Sequence, residues 1–205
     1  LAVQCAEKQL LFVGVDQRLI AFLLVAGYLP IPVPNGLYEN VLDDQYDHRA
    51  LDLWLLSLKP MAFVLSGGND IGQSEERDLT EGWLLDYAKI HHSPVLGICH
   101  GMQVMGNYEG AELRQIKGHV RTRHCISGEI SGEVNSFHNS SIKSCPDNFE
   151  VLANSEDGEI EAICHRSLPW EGWMWHPERE LDFAVRDVRR IQRLFADNRH
   201  ETDIK

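Results

Sequence analysis

The chain has 205 residues, of which 19 are basic and 31 are acidic, and its formal net charge at pH 7 is −12. This length suits a single domain with a sizeable core, and the acidic balance opposes nonspecific binding to nucleic acid or to an anionic membrane. No apolar run approaches the ~20 residues of a membrane-crossing helix.

The first half of the chain alternates between strand-like and helix-like segments. We predict strands over residues 10–15, 29–33, 61–65 and 95–98. A first helix is predicted over residues 19–26, ended by Gly27. A second helix is predicted from apolar residues at helical spacing, namely Tyr46, Ala50, Leu53, Trp54 and Leu58. A third is predicted from the capping box Asp78-x-x-Glu81 and a following face of Leu79, Trp83, Leu84, Tyr87 and Ala88.

The second half contains shorter β-like runs around residues 112–116, 149–154 and 160–165. A closing helix is predicted from Val185, Val188, Ile191 and Phe195. The βαβα order predicts an α/β fold with an open, mostly parallel, flavodoxin-like sheet and helices on both faces. Since no linker, repeat or low-complexity segment interrupts it, we expect one domain over residues 1–205.

The five cysteines are odd in number, widely spaced and without a Cys-x-x-Cys pair: Cys5, Cys99, Cys125, Cys145 and Cys164. This pattern argues against a disulfide framework and against a thiolate zinc site. A reducing cytoplasm fits it best. The chain begins with Leu1 rather than Met, which leaves a preceding signal peptide open, but the free cysteines argue against one.

One cysteine stands at a position typical of a nucleophile. Cys99 lies between Gly97 and Gly101, directly after an apolar strand and before a predicted helix. The glycines allow a sharp turn and leave space around the sulfur, as in a nucleophile elbow. A free cysteine alone is more often a small buried hydrophobic residue, so other signals must support this interpretation.

Two further segments supply that support. His176 is followed two residues later by Glu178, a base and a carboxylate that can orient it. Upstream, Gly67 and Gly68 end an apolar strand, where a backbone N–H can approach a ligand closely. Each piece alone is more often a turn or loop. Together they favour a Cys-His-Glu acyl-transfer site at the carboxyl ends of parallel strands, where open α/β sheets bind ligands.

Five motifs in this order resemble the class I glutamine amidotransferase-like hydrolases, and within them the gamma-glutamyl hydrolase or gamma-glutamyl-GABA hydrolase branch. The motifs are residues 66–70, 97–103, 134–139, 157–162 and 175–178. The resemblance runs from about residue 11 to residue 194. It implies the family's three-layer sandwich, with no cofactor and no metal.

The resemblance also implies a role for each matching residue. Cys99 would attack the gamma-carbonyl and form a gamma-glutamyl thioester, His176 would transfer protons, and Glu178 would hold the imidazole. The backbone N–H groups of Gly68 and His100 would form the oxyanion hole. Substrate contacts are assigned to Gly67, Asn69, Gln103, Asn135, Ser136, Phe137 and His138.

Two enzymatic functions share this triad. The first is a stand-alone hydrolase that cleaves a small gamma-glutamyl conjugate to glutamate and a free amine. The second is a glutaminase subunit that supplies ammonia to a separate synthetase partner. The motifs at residues 134–139 and 157–162 favour the hydrolase. A non-enzymatic, regulatory relative is a third hypothesis, and the intact Cys99, His176 and Glu178 argue against it.

Three histidines raise the question of a metal site. His119, His124 and His138 occur in the second half of the chain, with Glu112 and Glu133 nearby in sequence. Their spacing matches no zinc pattern, so no metal is expected.

Residues 117–124 form the only basic cluster of this acidic chain. The plain interpretation is a solvated loop. A sharper hypothesis is that Arg121 and Arg123 bind an anionic or nucleotide-linked leaving group. Residues 73–78 are predicted as a charged surface loop, and the connection at residues 14–18 is shorter than in many family members.

Overall fold

The strands and helices follow the predicted alternation in a computed structural model that describes residues 9–13, 16–42 and 45–196. The strands are β1 (Gln9–Val13), β2 (Leu29–Pro32), β3 (Glu39–Leu42), β4 (Gln45–Asp47), β5 (Ala62–Leu65), β6 (Val95–Ile98), β7 (Leu113–Gln115), β8 (Val120–Gly128), β9 (Gly132–Phe137), β10 (Ser140–Ile142), β11 (Phe149–Ser155), β12 (Ile160–His165) and β13 (Trp170–Trp173). The helices are α1 (Gln17–Val25), α2 (Arg49–Leu58), α3 (Glu75–His91), α4 (His100–Tyr108) and α5 (Val185–Ala196), with a 3-10 turn at Pro177–Arg179.

Nine strands form one sheet in the order β2-β1-β5-β6-β13-β12-β11-β8-β9. The strands from β2 to β13 pair in parallel, and those from β12 to β9 add an antiparallel half. The α/β class with a mostly parallel central region is therefore confirmed. The antiparallel hairpin of β8 and β9 was not predicted. Part of the basic cluster lies in β8, so its interpretation as a loop is wrong.

Helices cover both faces of the sheet, as the sequence predicts. On one face, α1 and α5 bury Phe22 and Phe195 against a cluster that includes Trp173 of β13. On the other face, α2, α3 and α4 bury residues such as Leu55 and Met102 in a second cluster. No helix among the described residues has both the length and the apolar character needed to cross a membrane.

The start of α3 differs from the prediction. The helix begins at Glu75 after the N-cap residue Ser74, so Asp78 lies inside it and not at a capping box. The Asp78 carboxylate instead accepts a hydrogen bond from the backbone N–H of Gly72 at 2.7 Å. Most of the expected charged loop is consequently the first turn of α3, which is acidic as the positive end of a helix dipole favours.

The apolar stripe predicted for the second helix is also wrong in detail. Tyr46 belongs to β4, and α2 begins only at Arg49. The buried residues of α2 are Leu51 and Leu55, spaced four apart, whereas Leu53 is 62% exposed. A segment with leucine at several neighbouring positions fits more than one helical face, and packing selects among them.

The first turn of α4 lies so close to the end of β5 that only glycine fits at residue 101. A Cβ atom on Gly101 would lie 2.1 Å from the carbonyl oxygen of Leu65. Gly82, inside α3, has no atom within 4 Å of the corresponding position. The two glycines therefore form a matched pair for testing this close approach.

We expect Gly101→Ala to lower the free energy of unfolding by ~1–3 kcal/mol because β5 or α4 must shift. Gly82→Ala should raise it by up to ~1 kcal/mol, since alanine is the better helix former. Denaturant unfolding of both variants measures the difference. Equal stabilities for the two would contradict the close packing of α4 against β5.

Candidate active site

Three parallel strands end side by side at one edge of the sheet. β6 pairs with β5 on one side and with β13 on the other, with Gly97 opposite Leu65 and Ile98 opposite Trp173. The segments that follow these strands carry the glycine pair, Cys99 and His176 respectively. The convergence that we expected at the carboxyl ends of the strands is thus present.

Cys99 occupies a sharp turn between β6 and α4. Its φ of 51° and ψ of −103° lie in a region that non-glycine residues rarely adopt, at a cost of ~1–3 kcal/mol. Its N–H donates to the carbonyl of Trp173 at 2.7 Å, and its carbonyl accepts from Gln103 N–H at 3.1 Å. Sheet and helix therefore hold both sides of the strained residue in place.

His176 is held in a buried position by side chains on three sides. Its Nδ1 lies 2.7 Å from Glu178 Oε1, and both side chains are buried. The Asn135 amide donates to the carbonyl of His176 at 2.8 Å and accepts from its N–H at 2.9 Å. The ring of Phe137 meets the imidazole edge-to-face, with centroids 5.6 Å apart. The imidazole thus has little rotational freedom.

The neighbours on the two sides of the imidazole favour its protonated form. Burial lowers the pKa of His176, but the hydrogen bonds and charges of Cys99 and Glu178 outweigh it and raise this pKa to about 9. At neutral pH the ring is therefore positively charged, next to the sulfur on one side and the carboxylate on the other. Such a ring can donate a proton to a leaving group.

The glycine pair after β5 lies between His176 and the half-buried Arg77. A Cβ atom on Gly67 would lie 2.5 Å from Cε1 of His176, and one on Gly68 would lie 1.8 Å from Nη1 of Arg77. A Cβ atom at residue 67 would displace the imidazole of His176. At residue 68 it would meet only the end of the flexible Arg77 side chain, which can move aside at a smaller cost.

Arg77 and Glu81 belong to this site although the sequence did not single them out for it. Arg77 donates to the carbonyl of Ser66 at 2.7 Å and to Oε1 of Glu81 at 2.9 Å. The other oxygen of Glu81 lies 2.8 Å from Nε2 of His100. The fully buried Glu81 thereby connects the glycine segment with the first residue of α4. The i, i+4 spacing of Arg77 and Glu81 predicts an ion pair on a helix, but such pairs are common on exposed helices and do not indicate a site.

The polar residues expected to contact substrate mostly have partners within the protein. Gln103 donates to the carbonyl of Ser140 at 3.0 Å, and Ser136 donates to that of His119 at 2.7 Å. Asn69 is exposed, and Phe137 has 36% of its surface accessible. Their contacts with substrate stay a prediction.

One arginine of the basic cluster is already paired with carboxylates. The guanidinium of Arg123 donates to Glu133 and to Glu180, each at 2.9 Å. Arg121 is exposed and has a positive φ of 56°. Another cation, Arg179, lies over the ring of Phe137 at 4.5 Å, and sequence reasoning did not identify it.

The three histidines considered for a metal site do come together, but neither of the glutamates considered with them, Glu112 and Glu133, joins them. Glu112 pairs with Lys143, and Glu133 pairs with Arg123. Glu161 of β12 lies among the histidines instead. The sequence did not indicate Glu161 as the carboxylate of this group, because a partner on a distant strand cannot be identified from local spacing.

The family model described as glutamine amidotransferase class-I matches residues 37–184. A gamma-glutamyl-CDP-amidate hydrolase of Campylobacter jejuni is 32% identical over 125 residues, which are 58% of this chain and 62% of that protein. A glutamine-hydrolyzing GMP synthase subunit of Methanobrevibacter smithii is 32% identical over 167 residues, 74% of this chain and 76% of that protein. The chain thus spans less than two thirds of the Campylobacter relative.

A solved structure has the same fold over nearly the whole chain. It is a protein from Thermoplasma acidophilum described as a GMP synthase subunit, and it superposes with a TM-score of 0.73 and 24% sequence identity. The alignment covers 93% of this chain and 94% of that one. At this level of identity, the likeness shows a shared fold.

The raised pKa of His176 gives a direct test of its contact with Glu178. Glu178→Gln keeps the shape of the side chain but removes its negative charge, so the imidazolium loses stabilisation. We expect the pKa of His176 to fall from about 9 toward its ordinary value. An NMR titration of the His176 ring measures it. Glu150→Gln, at an exposed ion pair with Arg166, is the control and should leave it unchanged. An unaltered pKa in Glu178→Gln would contradict the contact.

Proposed function

The chain belongs to the class I glutamine amidotransferase family, and from that premise we propose that it is a cysteine-dependent hydrolase of gamma-glutamyl amide bonds. Its products would be glutamate and a free amine. The observation that carries the proposal is the meeting of Cys99, His176 and Glu178 at adjacent strand ends, with Cys99 in a strained turn. The name of the Campylobacter relative, a gamma-glutamyl-CDP-amidate hydrolase, supports this class of substrate.

In the proposed first half-reaction, His176 has taken the proton of the Cys99 thiol, and the resulting thiolate attacks the gamma-carbonyl carbon of the glutamyl group. The carbonyl oxygen gains negative charge and is stabilised by the backbone N–H groups of Gly68 and His100. The C–N bond then breaks, and protonated His176 gives its proton to the departing amine. A gamma-glutamyl thioester on Cys99 and a neutral imidazole are left.

In the second half-reaction, neutral His176 takes a proton from water while the water oxygen attacks the thioester. The C–S bond breaks and releases glutamate, and the sulfur and protonated imidazole are restored. Glu178 stabilises the imidazolium before and after this step, and Asn135 fixes the backbone of His176. Both are positioning residues because they act through the histidine.

A glutaminase subunit that supplies ammonia to a separate synthetase is the second candidate. The observation that favours it is the 32% identity to a glutamine-hydrolyzing GMP synthase subunit over three quarters of this chain. The same triad would perform the chemistry, and the substrate would be glutamine. For the hydrolase, we propose an anionic or nucleotide-linked leaving group. Arg123 is bound by two carboxylates. We assign the attraction of this group to Arg179, which lies over Phe137 and has one carboxylate, that of Glu178, at 3.8 Å.

Turnover should depend on one of the cysteines alone. We expect Cys99→Ala to reduce glutamate release to the uncatalysed rate while leaving folding intact, because no other group can form the thioester. Glu178→Gln should retain more activity, since the base is still present. Cys125→Ala removes an exposed thiol and is the matched control. Normal activity of Cys99→Ala would refute the mechanism.

The same assay separates the two candidate functions when wild-type protein receives a substrate panel. The panel contains glutamine, gamma-glutamyl-GABA, other gamma-glutamyl amines and a nucleotide-linked gamma-glutamyl conjugate. Fast release of glutamate from a conjugate with little from glutamine is the result we expect. Turnover of glutamine alone would contradict the hydrolase and favour the ammonia-supplying function.

A further inference from the structure

Three histidines surround one buried carboxylate in the antiparallel half of the sheet. Glu161 belongs to β12, His124 to β8, and His119 and His138 adjoin β8 and β9. From Oε1 of Glu161, the distances are 3.2 Å to His124 Nε2, 3.3 Å to His119 Nδ1 and 3.4 Å to His138 Nε2. Four donor atoms of the types that transition metals bind are therefore in one place.

His119 and His138 each have one ring nitrogen that points away from Glu161. The hydrogen bond of that nitrogen determines which nitrogen of the ring carries the proton. Nε2 of His119 lies 3.0 Å from Oδ2 of Asp157, and Nδ1 of His138 lies 3.1 Å from the carbonyl oxygen of Ser140. An ionised carboxylate and a carbonyl only accept hydrogen bonds, so both nitrogens must be the protonated ones. In the neutral rings, Nδ1 of His119 and Nε2 of His138 then present lone pairs to Glu161.

With both rings neutral, neither ring supplies a hydrogen between these lone pairs. The two ring nitrogens face each other at 3.3 Å, and both face the same carboxylate oxygen. Glu161 is fully buried, and neither of its oxygens has a hydrogen-bond partner among the described residues. Nε2 of His124 is buried and equally unpartnered among them. Such an arrangement is unfavourable unless a bound cation, or an additional proton on one of the rings, lies between the donors.

The distances among three of the four donor atoms match those around a small tetrahedral ion. Ligands at ~2.0–2.1 Å from a tetrahedral Zn²⁺ ion lie roughly 3.3–3.4 Å from one another. His119 Nδ1, His138 Nε2 and Glu161 Oε1 form a triangle with edges of 3.3, 3.4 and 3.3 Å. The potential ligand atoms of His119, His124 and Glu161 also all lie within 4.8 Å of one another.

From these observations we propose that His119, His124, His138 and Glu161 bind one divalent transition-metal ion of the zinc type. Asp157 and the carbonyl of Ser140 orient two of the ligating rings, as partners outside a metal's own ligands commonly do. The ion joins β8, β9 and β12. It lies beside Ser136, whose hydroxyl donates a hydrogen bond to the carbonyl of His119. Its role is to fix this part of the sheet next to the residues that adjoin His176.

In a second cluster of possible metal ligands, the carboxylates already have hydrogen-bond partners. Asp78, Glu81 and His100 also approach one another closely. The guanidinium of Arg77, however, already donates to Glu81, and Asp78 accepts from a backbone N–H. The negative charge of Glu81 is therefore compensated by protein groups.

The test is a titration of chelator-treated protein with Co²⁺, followed by displacement with Zn²⁺. We expect one Co²⁺ per chain, with the intense visible absorption of a tetrahedral ion and no thiolate-to-cobalt band. Glu161→Gln and His124→Ala should each abolish this stoichiometric binding. His91→Ala, which removes an exposed histidine of α3, should bind as the wild type does. Zn²⁺ should raise the melting temperature of wild type but not of the two cluster variants.

Asp157→Asn provides a variant that keeps all four ligands and changes a largely exposed side chain. We expect it to fold and to bind Co²⁺ about 10- to 100-fold more weakly, because the His119 ring loses its charged partner. Absence of stoichiometric Co²⁺ binding in the wild type would overturn the proposal. It would identify a proton shared between a histidine and Glu161 as the compensating charge. Binding retained in both cluster variants would overturn it too. No gamma-glutamyl substrate is used, so this outcome is separate from that of the proposed function.

Discussion

The site depends on the backbone conformation of Cys99, the single residue that connects the end of β6 with the start of α4. At φ of 51° and ψ of −103° this residue is strained, and the strain persists because neighbouring elements fix both of its peptide groups. The close approach of α4 to β5 requires glycine at position 101. The position of the sulfur is therefore set by packing of the sheet and helix, which also brings the glycine segment and His176 beside it.

Two polar networks extend this positioning beyond the turn. Arg77 and Glu81 connect the carbonyl of Ser66 with the side chain of His100, so the two segments of the proposed oxyanion hole share one buried ion pair. On the other side, Asn135 binds both backbone groups of His176. Catalytic groups held by buried, hydrogen-bonded neighbours are typical of preorganised sites. The cost of burying these charges is offset by their mutual pairing.

The sequence predicted those features that local patterns encode. Apolar runs ending in glycine located β5, β6 and the turn at Cys99, and the limits of β12 agree to the residue. The pair β8 and β9 was missed because β8 is mostly exposed and so lacks an apolar alternation. The functions of Arg77 and Glu161 could not be predicted, because burial and contacts with distant strands decide them. The sequence placed Glu161 within a motif and a strand-like run, but it could not identify the three histidines that surround it.

The most direct test of the central claim is the reaction of the protein with a glutamine analogue that carries a diazoketone in place of its amide. Peptide mass spectrometry then locates the modified residue. We expect a single adduct on Cys99, although that residue is only 7% exposed, because its sulfur lies beside His176 and within the proposed glutamyl site. Labelling of the exposed Cys125 with an unmodified Cys99 would mean that accessibility alone governs reactivity, and would contradict the account.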